Sequence, residues 1–143
     1  MAVVYCSPAL RAIQTARVLA PKARMVIEED LREIGFDLGE LLSKTEYEKQ
    51  GSNLVRKRFI EAFVEDNLGE SRRQIGKRIE RVLGKISRLD EEKILVVSHS
   101  FLLKVVESLL KEETIFSNPH LLDSLFNYQK RTFCPGEGFE VCL

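Results

Sequence analysis

The chain reads as an α/β domain built on a mostly parallel sheet, with a C-terminal hairpin. Three observations predict this. Short β-rich runs alternate with helical stretches along the chain. Ile94-Leu95-Val96-Val97 is a continuous apolar run, which suits a parallel strand covered on both faces. Pro135-Gly136-Glu137-Gly138 separates two strand-like segments, 129–133 and 139–143. The 143 residues form one domain, 1–143, long enough to bury about two-thirds of the unfolded surface.

Taken in order, Val3-Val4-Tyr5 is the first strand. Ser7-Pro8 follows as a helix start, with Ser7 as cap and Pro8 suited to the first helical position. Residues 9–20 read as a helix whose apolar positions are Leu10, Ile13, Val18 and Leu19, and Pro21 ends it. Residues 24–28 read as a second strand, and 30–42 as mostly loop. A helical turn over 45–50 is broken by Gly51-Ser52-Asn53. A helical stripe then runs over 54–64. Ser71 caps a long amphipathic helix with Ile75, Ile79, Val82, Leu83 and Ile86 on one face. After the strand at 93–98 come a helix over 100–111 and a short one over 121–126.

Composition removes several function classes. Lys+Arg and Asp+Glu both number 22, so the formal net charge is zero, which argues against a nucleic-acid partner. No apolar run approaches the roughly 18–20 residues of a membrane span, so no membrane partner is expected. The first residues lack the basic flank and apolar stretch of a secretory signal. Cys6, Cys134 and Cys142 are too few and too scattered for a disulfide framework or a zinc site. A cytoplasmic protein with reduced thiols, no metal and no cofactor is the expectation.

The chemistry concentrates at strand ends. In open α/β sheets, ligands sit beyond the carboxyl ends of the strands. Segments 7–11 and 99–100 both lie at such ends and both open helices, whose first N–H groups point outward. An Arg and a His thereby meet at one rim.

Four segments carry a family resemblance. Ser7-Pro8-Ala9-Leu10-Arg11-Ala12-Ile13-Gln14-Thr15-Ala16 resembles the S-P-x-x-R-A-x-x-T-A segment of the histidine phosphatase superfamily, the phosphoglycerate mutase-like proteins. Leu31-Arg32-Glu33, with Gly35-Phe36 and Gly39-Glu40, resembles its L-x-E segment. Glu70-Ser71, opening a helix that carries Arg78, looks like its E-S…R segment. Val96-Val97-Ser98-His99 looks like its V-S-H segment, which holds the second catalytic histidine. They stand in family order and span nearly the whole chain. The resemblance implies a three-layer α/β/α sandwich and phosphoester hydrolysis, with phosphate or a small phosphoester as the partner. One element is missing. The sequence contains no R-H-G, the opening strand that supplies the nucleophilic histidine, and Ser100 stands where the family usually has Gly.

Carried over residue by residue, the resemblance makes Arg11 a bidentate phosphate ligand. His99 would donate to a phosphoryl oxygen and stabilise transition-state charge. Glu33 would be the general acid at the leaving oxygen. The backbone at Ser100 would add helix N-terminal donors. Without the nucleophile, the two-step covalent route is lost and turnover should be impaired. Two alternatives stay open. One is an active phosphatase using His99 or a site completed by a partner chain; the other is a non-catalytic interaction module. Since the family places the missing strand beside the one carrying the second histidine, an exposed edge and a homodimer are expected.

Each residue also has a plainer reading. Arg11 could be a solvated helix residue, and His99 a satisfied structural histidine. Glu33 has rivals in Asp30, Asp37 and Glu40. Glu70 reads as a helix-start charge, His120 as surface, and Cys6 as a small buried filler. The basic residues of 56–58 and of 72–81, Arg78 among them, read as solvated faces.

Overall fold

In the computed structural model, residues 3–118, 120–121 and 136–143 are described. Three strands, β1 (Val3–Cys6), β2 (Arg24–Ile27) and β3 (Ile94–Val97), form a parallel sheet in the order β2-β1-β3. Val3 pairs with Arg24 and Ile94, and Cys6 with Ile27 and Val97. All three strands therefore end at one rim, and the chain leaves it at Ser7, Glu28 and Ser98. The outer side of β3 pairs with no strand among the described residues.

Pleating sends alternate residues of β1 into two hydrophobic clusters. Val4 and Cys6 join the Ala12, Ala16 and Ala20 side chains in and just after helix α1 (Leu10–Leu19). Val3 and Tyr5 join the larger cluster, which contains Phe59, Phe63, Ile75, Ile79, Leu102 and Val105. These come from helices α3 (Lys44–Val64), α4 (Arg72–Ile86) and α5 (Ser100–Lys111). A fourth-residue repeat of alanines lets α1 lie close on the sheet. This corrects the predicted stripe of α1: Leu10, Val18 and Leu19 are exposed, because the alanine face is the one that fits there.

Most predicted elements are present. The segment read as loop contains a single 3-10 turn, Glu29–Leu31, and the four-residue helix α2 (Leu38–Leu41), held by an Asp37 cap. The break at Gly51 is real: its φ of 61° and ψ of −148° divide α3 into two helical stretches. Ser71 caps α4 through a full capping box with Gln74. Ser7 does not cap α1. The N-cap is Ala9, with no side-chain cap, and Ser7 lies two residues further back, buried just past the end of β1. Of the predicted hairpin, residues 129–133 lie outside the described residues. Residues 139–143 form no strand, and Val141 and Leu143 stay exposed with no sheet face to cover. The predicted helix over 121–126 lies outside the described residues beyond Leu121.

Two basic residues read as solvated are buried. Arg78 is 1% exposed and Arg56 is 7% exposed. Arg78 follows Ile75 by three residues and precedes Val82 by four, so the apolar period of α4 carries it inward. There it meets Glu70, itself buried, through Nε to Oε1 at 2.5 Å and Nη2 to Oε2 at 2.9 Å. Glu70 is thus an inward ion-pair partner as well as a residue at a helix start.

Candidate functional site

The site is assembled from the rim ends of β1 and β3. β1 delivers Ser7, and α1 begins directly behind it with Arg11 as its second residue. β3 delivers His99, the N-cap residue of α5. Residues 88 positions apart in sequence then touch: Arg11 Nη2 donates to His99 Nδ1 at 3.0 Å. Arg has only donors, so Nδ1 must accept and the ring proton sits on Nε2. Nε2–H in turn donates to Ser7 Oγ at 2.7 Å. The Ala9 N–H donates to the same oxygen at 3.3 Å, and the Ser7 N–H donates to the Val97 carbonyl at 3.0 Å.

Ser7 and His99 are buried, whereas Arg11 is exposed. Burial pushes the His99 pKa down, and the positive charges of Arg11 and Arg78 push it further the same way. The ring is therefore neutral in this arrangement, as the Arg11 hydrogen bond also requires. Ser7 is the residue that sequence reasoning missed. Its Ser-Pro context reads as a helix cap, and only the parallel register of β1 with β3 places it beside His99.

Glu33 reaches the same region from behind. Its Oε1 accepts the N–H groups of Ile34 and Leu102, each at 2.9 Å, and its Oε2 accepts that of Phe101 at 3.2 Å. Phe101 and Leu102 lie in the first turn of α5, so the carboxylate sits on the positive end of that helix. Two donors that a helix starting at Ser100 would offer a phosphate are thereby engaged. Burial pushes the Glu33 carboxyl above its ordinary range, although the three backbone donors and Arg78 pull the other way. Among the described residues Glu33 makes no hydrogen bond to Arg11 or His99; it sits one turn along α5 from the histidine.

The Glu33 segment is fixed on several sides. Arg78 Nη1 donates to the Asp30 and Arg32 carbonyls at 2.7 and 2.8 Å. Ser98 Oγ donates to the Leu31 carbonyl at 2.7 Å, and the Gly35 N–H donates to Glu70 Oε2 at 3.1 Å. Burial pushes the Glu70 carboxyl up, but the Arg78 hydrogen bonds, the Gly35 N–H and the charges of Arg78 and Arg32 outweigh it and hold the pKa low. Phe36, Phe59 and Phe101 pack as a trio, with centroids 4.0 Å apart for the stacked Phe59–Phe101 pair. Phe101 thus anchors the start of α5 two residues from His99.

His120 is exposed. Cys6 is fully buried in the small cluster, and burial pushes its thiol pKa up despite the Arg17 charge. It is a packed filler, not an activated thiol. No group of three His, Cys, Asp or Glu able to hold a metal ion occurs among the described residues. No helix among them is long and apolar enough to cross a membrane.

The model of the histidine phosphatase superfamily (branch 1) matches residues 1–120. That span is most of the 143 residues, so the chain belongs to this superfamily, as its four segments imply. No curated protein and no solved structure matches the chain.

Proposed function

We propose that this member of the histidine phosphatase superfamily grips the phosphoryl group of a small phosphoester between Arg11 and His99. The observation that carries the reading is the 3.0 Å contact of Arg11 Nη2 with His99 Nδ1 at the shared rim of β1 and β3. The Arg11 fork turns from the ring to the phosphoryl oxygens when the anion arrives. His99, now facing a dianion, takes up a proton and donates to it. Ser7 keeps the ring in place through Nε2. Glu33 Oε2, with its single accepted bond, is the oxygen placed to carry a proton to the leaving group. The backbone at Ser100 completes the anion's surroundings.

Turnover by these residues alone should be low. A histidine nucleophile needs an open ring lone pair; Nδ1 of His99 is covered by Arg11 before the anion arrives and carries the proton it takes up afterwards, while Nε2 keeps the proton held by Ser7. The only other histidine is His120. We read the two hydrophobic clusters as the two helix–sheet interfaces of an α/β/α sandwich, and the unpaired side of β3 as the face used in a homodimer.

Release of phosphate from an aryl phosphate tests this reading. The expectation is little or no turnover in the wild type, alongside measurable phosphate binding. Wild-type turnover that vanishes in His99→Ala while phosphate binding is retained would instead make His99 the nucleophile. Turnover that survives that substitution, with no phosphate affinity, would overturn the reading of the site.

A further inference from the structure

We propose that the groove between α4 and the segment 32–35 binds a compact anion bearing two adjacent charged groups, of the diphosphate class. The groove has a volume of about 470 Å³, the scale of a small-molecule site. Arg32, Gln74, Lys77 and Arg81 line it above the buried Glu70–Arg78 pair.

Its charge is unbalanced. Arg32, Lys77, Arg78 and Arg81 face Glu70, with Asp30 paired to Arg81 at 2.8 Å, so four cations meet two carboxylates. In a chain of zero net charge, this is a local surplus of two. The surplus is reachable. Lys77 is exposed and makes no ion pair among the described residues. Arg32 is half-exposed; its Nη1 donates to the Glu29 carbonyl at 3.2 Å, but its contacts to Glu70 and Asp30 are 3.5 and 4.0 Å, too long for hydrogen bonds of full strength, so its charge is only loosely paired. Gln74 uses its carbonyl oxygen to cap Ser71, which leaves its amide donors for a ligand.

The surroundings limit the ligand's size. A second cavity shares Gly69 with the groove and carries Asp37, Glu40, Glu61 and Glu65 against Arg58. An extended polyanion such as a nucleic acid would run into these carboxylates; a diphosphate would not. The groove is also separate from the Arg11–His99 corner. Glu33 turns its carboxylate to α5, while Arg32 and Gly35 on either side of it face the groove.

A pyrophosphate titration at physiological salt, followed by amide NMR shifts, tests the proposal. The groove predicts saturable shifts at Gly35 and Gly69. The double variant Arg32→Gln, Lys77→Gln should weaken them at least tenfold, while Lys77→Arg retains them. Both positions are exposed, and circular dichroism checks that the variants fold. The absence of saturable shifts at Gly35 and Gly69, or an affinity unchanged in the double variant, overturns the proposal. Shifts confined to Arg11 and His99 would also overturn it, and would leave the proposed function standing.

Discussion

Arg11, His99 and Ser7 form a chain of hydrogen bonds in which each contact fixes the state of the next. Arg11 donates to Nδ1, which demands a neutral ring, and the neutral ring donates from Nε2 to Ser7. Removing Arg11 takes away both a charge that depresses the His99 pKa and the bond that favours its neutral form. Arg11→Ala should therefore raise that pKa, read by an NMR titration of the imidazole; an unchanged or lower value would contradict the arrangement. Sulfate, whose charge is constant across the range, should bind more tightly as pH falls below about 6.5, the ordinary histidine value. Affinity flat from pH 7 to about 5 would remove His99 from the anion site. Arg11 and His99 were both legible in the sequence, because their segments place them at strand ends. Ser7 was not, since a serine before proline carries the same signal whether it caps a helix or supports a histidine.

At the scale of elements, the boundaries of α1, α4 and α5 follow from apolar period and caps, and Gly51 announces the break in α3. At φ 61° and ψ −148° a side chain is strained whatever the space around it, and a Cβ there would meet nothing within 4 Å. Gly51→Ala should thus cost about 1–3 kcal/mol from the backbone alone, measured by denaturant unfolding; a neutral effect would mean that the break relaxes freely. The Glu70–Arg78 pair holds the segment carrying Glu33. Arg78→Met leaves Glu70 buried without its partner and the Asp30 and Arg32 carbonyls without their donor. A loss of about 3–5 kcal/mol is expected, with the Phe101 and Leu102 amides losing exchange protection as Glu33 loosens. Protection unchanged at those amides would show that Arg78 does not hold Glu33. The burial of Arg78 could have been read from its place between Ile75 and Val82. The capping of α5 by Glu33 could not, because it joins residues nearly 70 positions apart.

At the scale of the whole molecule, the described residues are organised on three strands, and the sequence showed all three. It did not show which face of α1 would be buried, because helical spacing fits Leu10 and Val18 as well as the alanines, and only the sheet decides. β3, which carries His99, has β1 on one side and no strand among the described residues on the other. Dimerisation through that side predicts a dimer in sedimentation at micromolar concentration; a monomer there would contradict it. Acid should weaken the fold. The folded His99 pKa lies below its unfolded value, so its contribution is lost as pH falls from about 6.5 through that lowered pKa. Glu70, also held low, loses its contribution as pH falls below about 4.3. Glu33 acts in the opposite sense: its raised pKa means that protonation relieves a burial cost. The carboxyls of Asp30, Glu46 and Glu112, held low by hydrogen bonds, and of Glu107, which burial pushes up but Lys104 and Lys111 hold low, act in the same sense as Glu70. Several losses against one gain predict a lower thermal midpoint near pH 4 than near pH 7, by calorimetry. A flat profile would mean that Glu33 offsets them all.

The most direct test of the central claim is calorimetric titration of inorganic phosphate into the wild type, Arg11→Ala and His99→Ala. Gripping between Arg11 and His99 predicts saturable binding to the wild type, weakened about tenfold or more in each variant, since each removes a charge-assisted hydrogen bond. Binding of equal strength in all three would place the phosphate elsewhere and contradict the account.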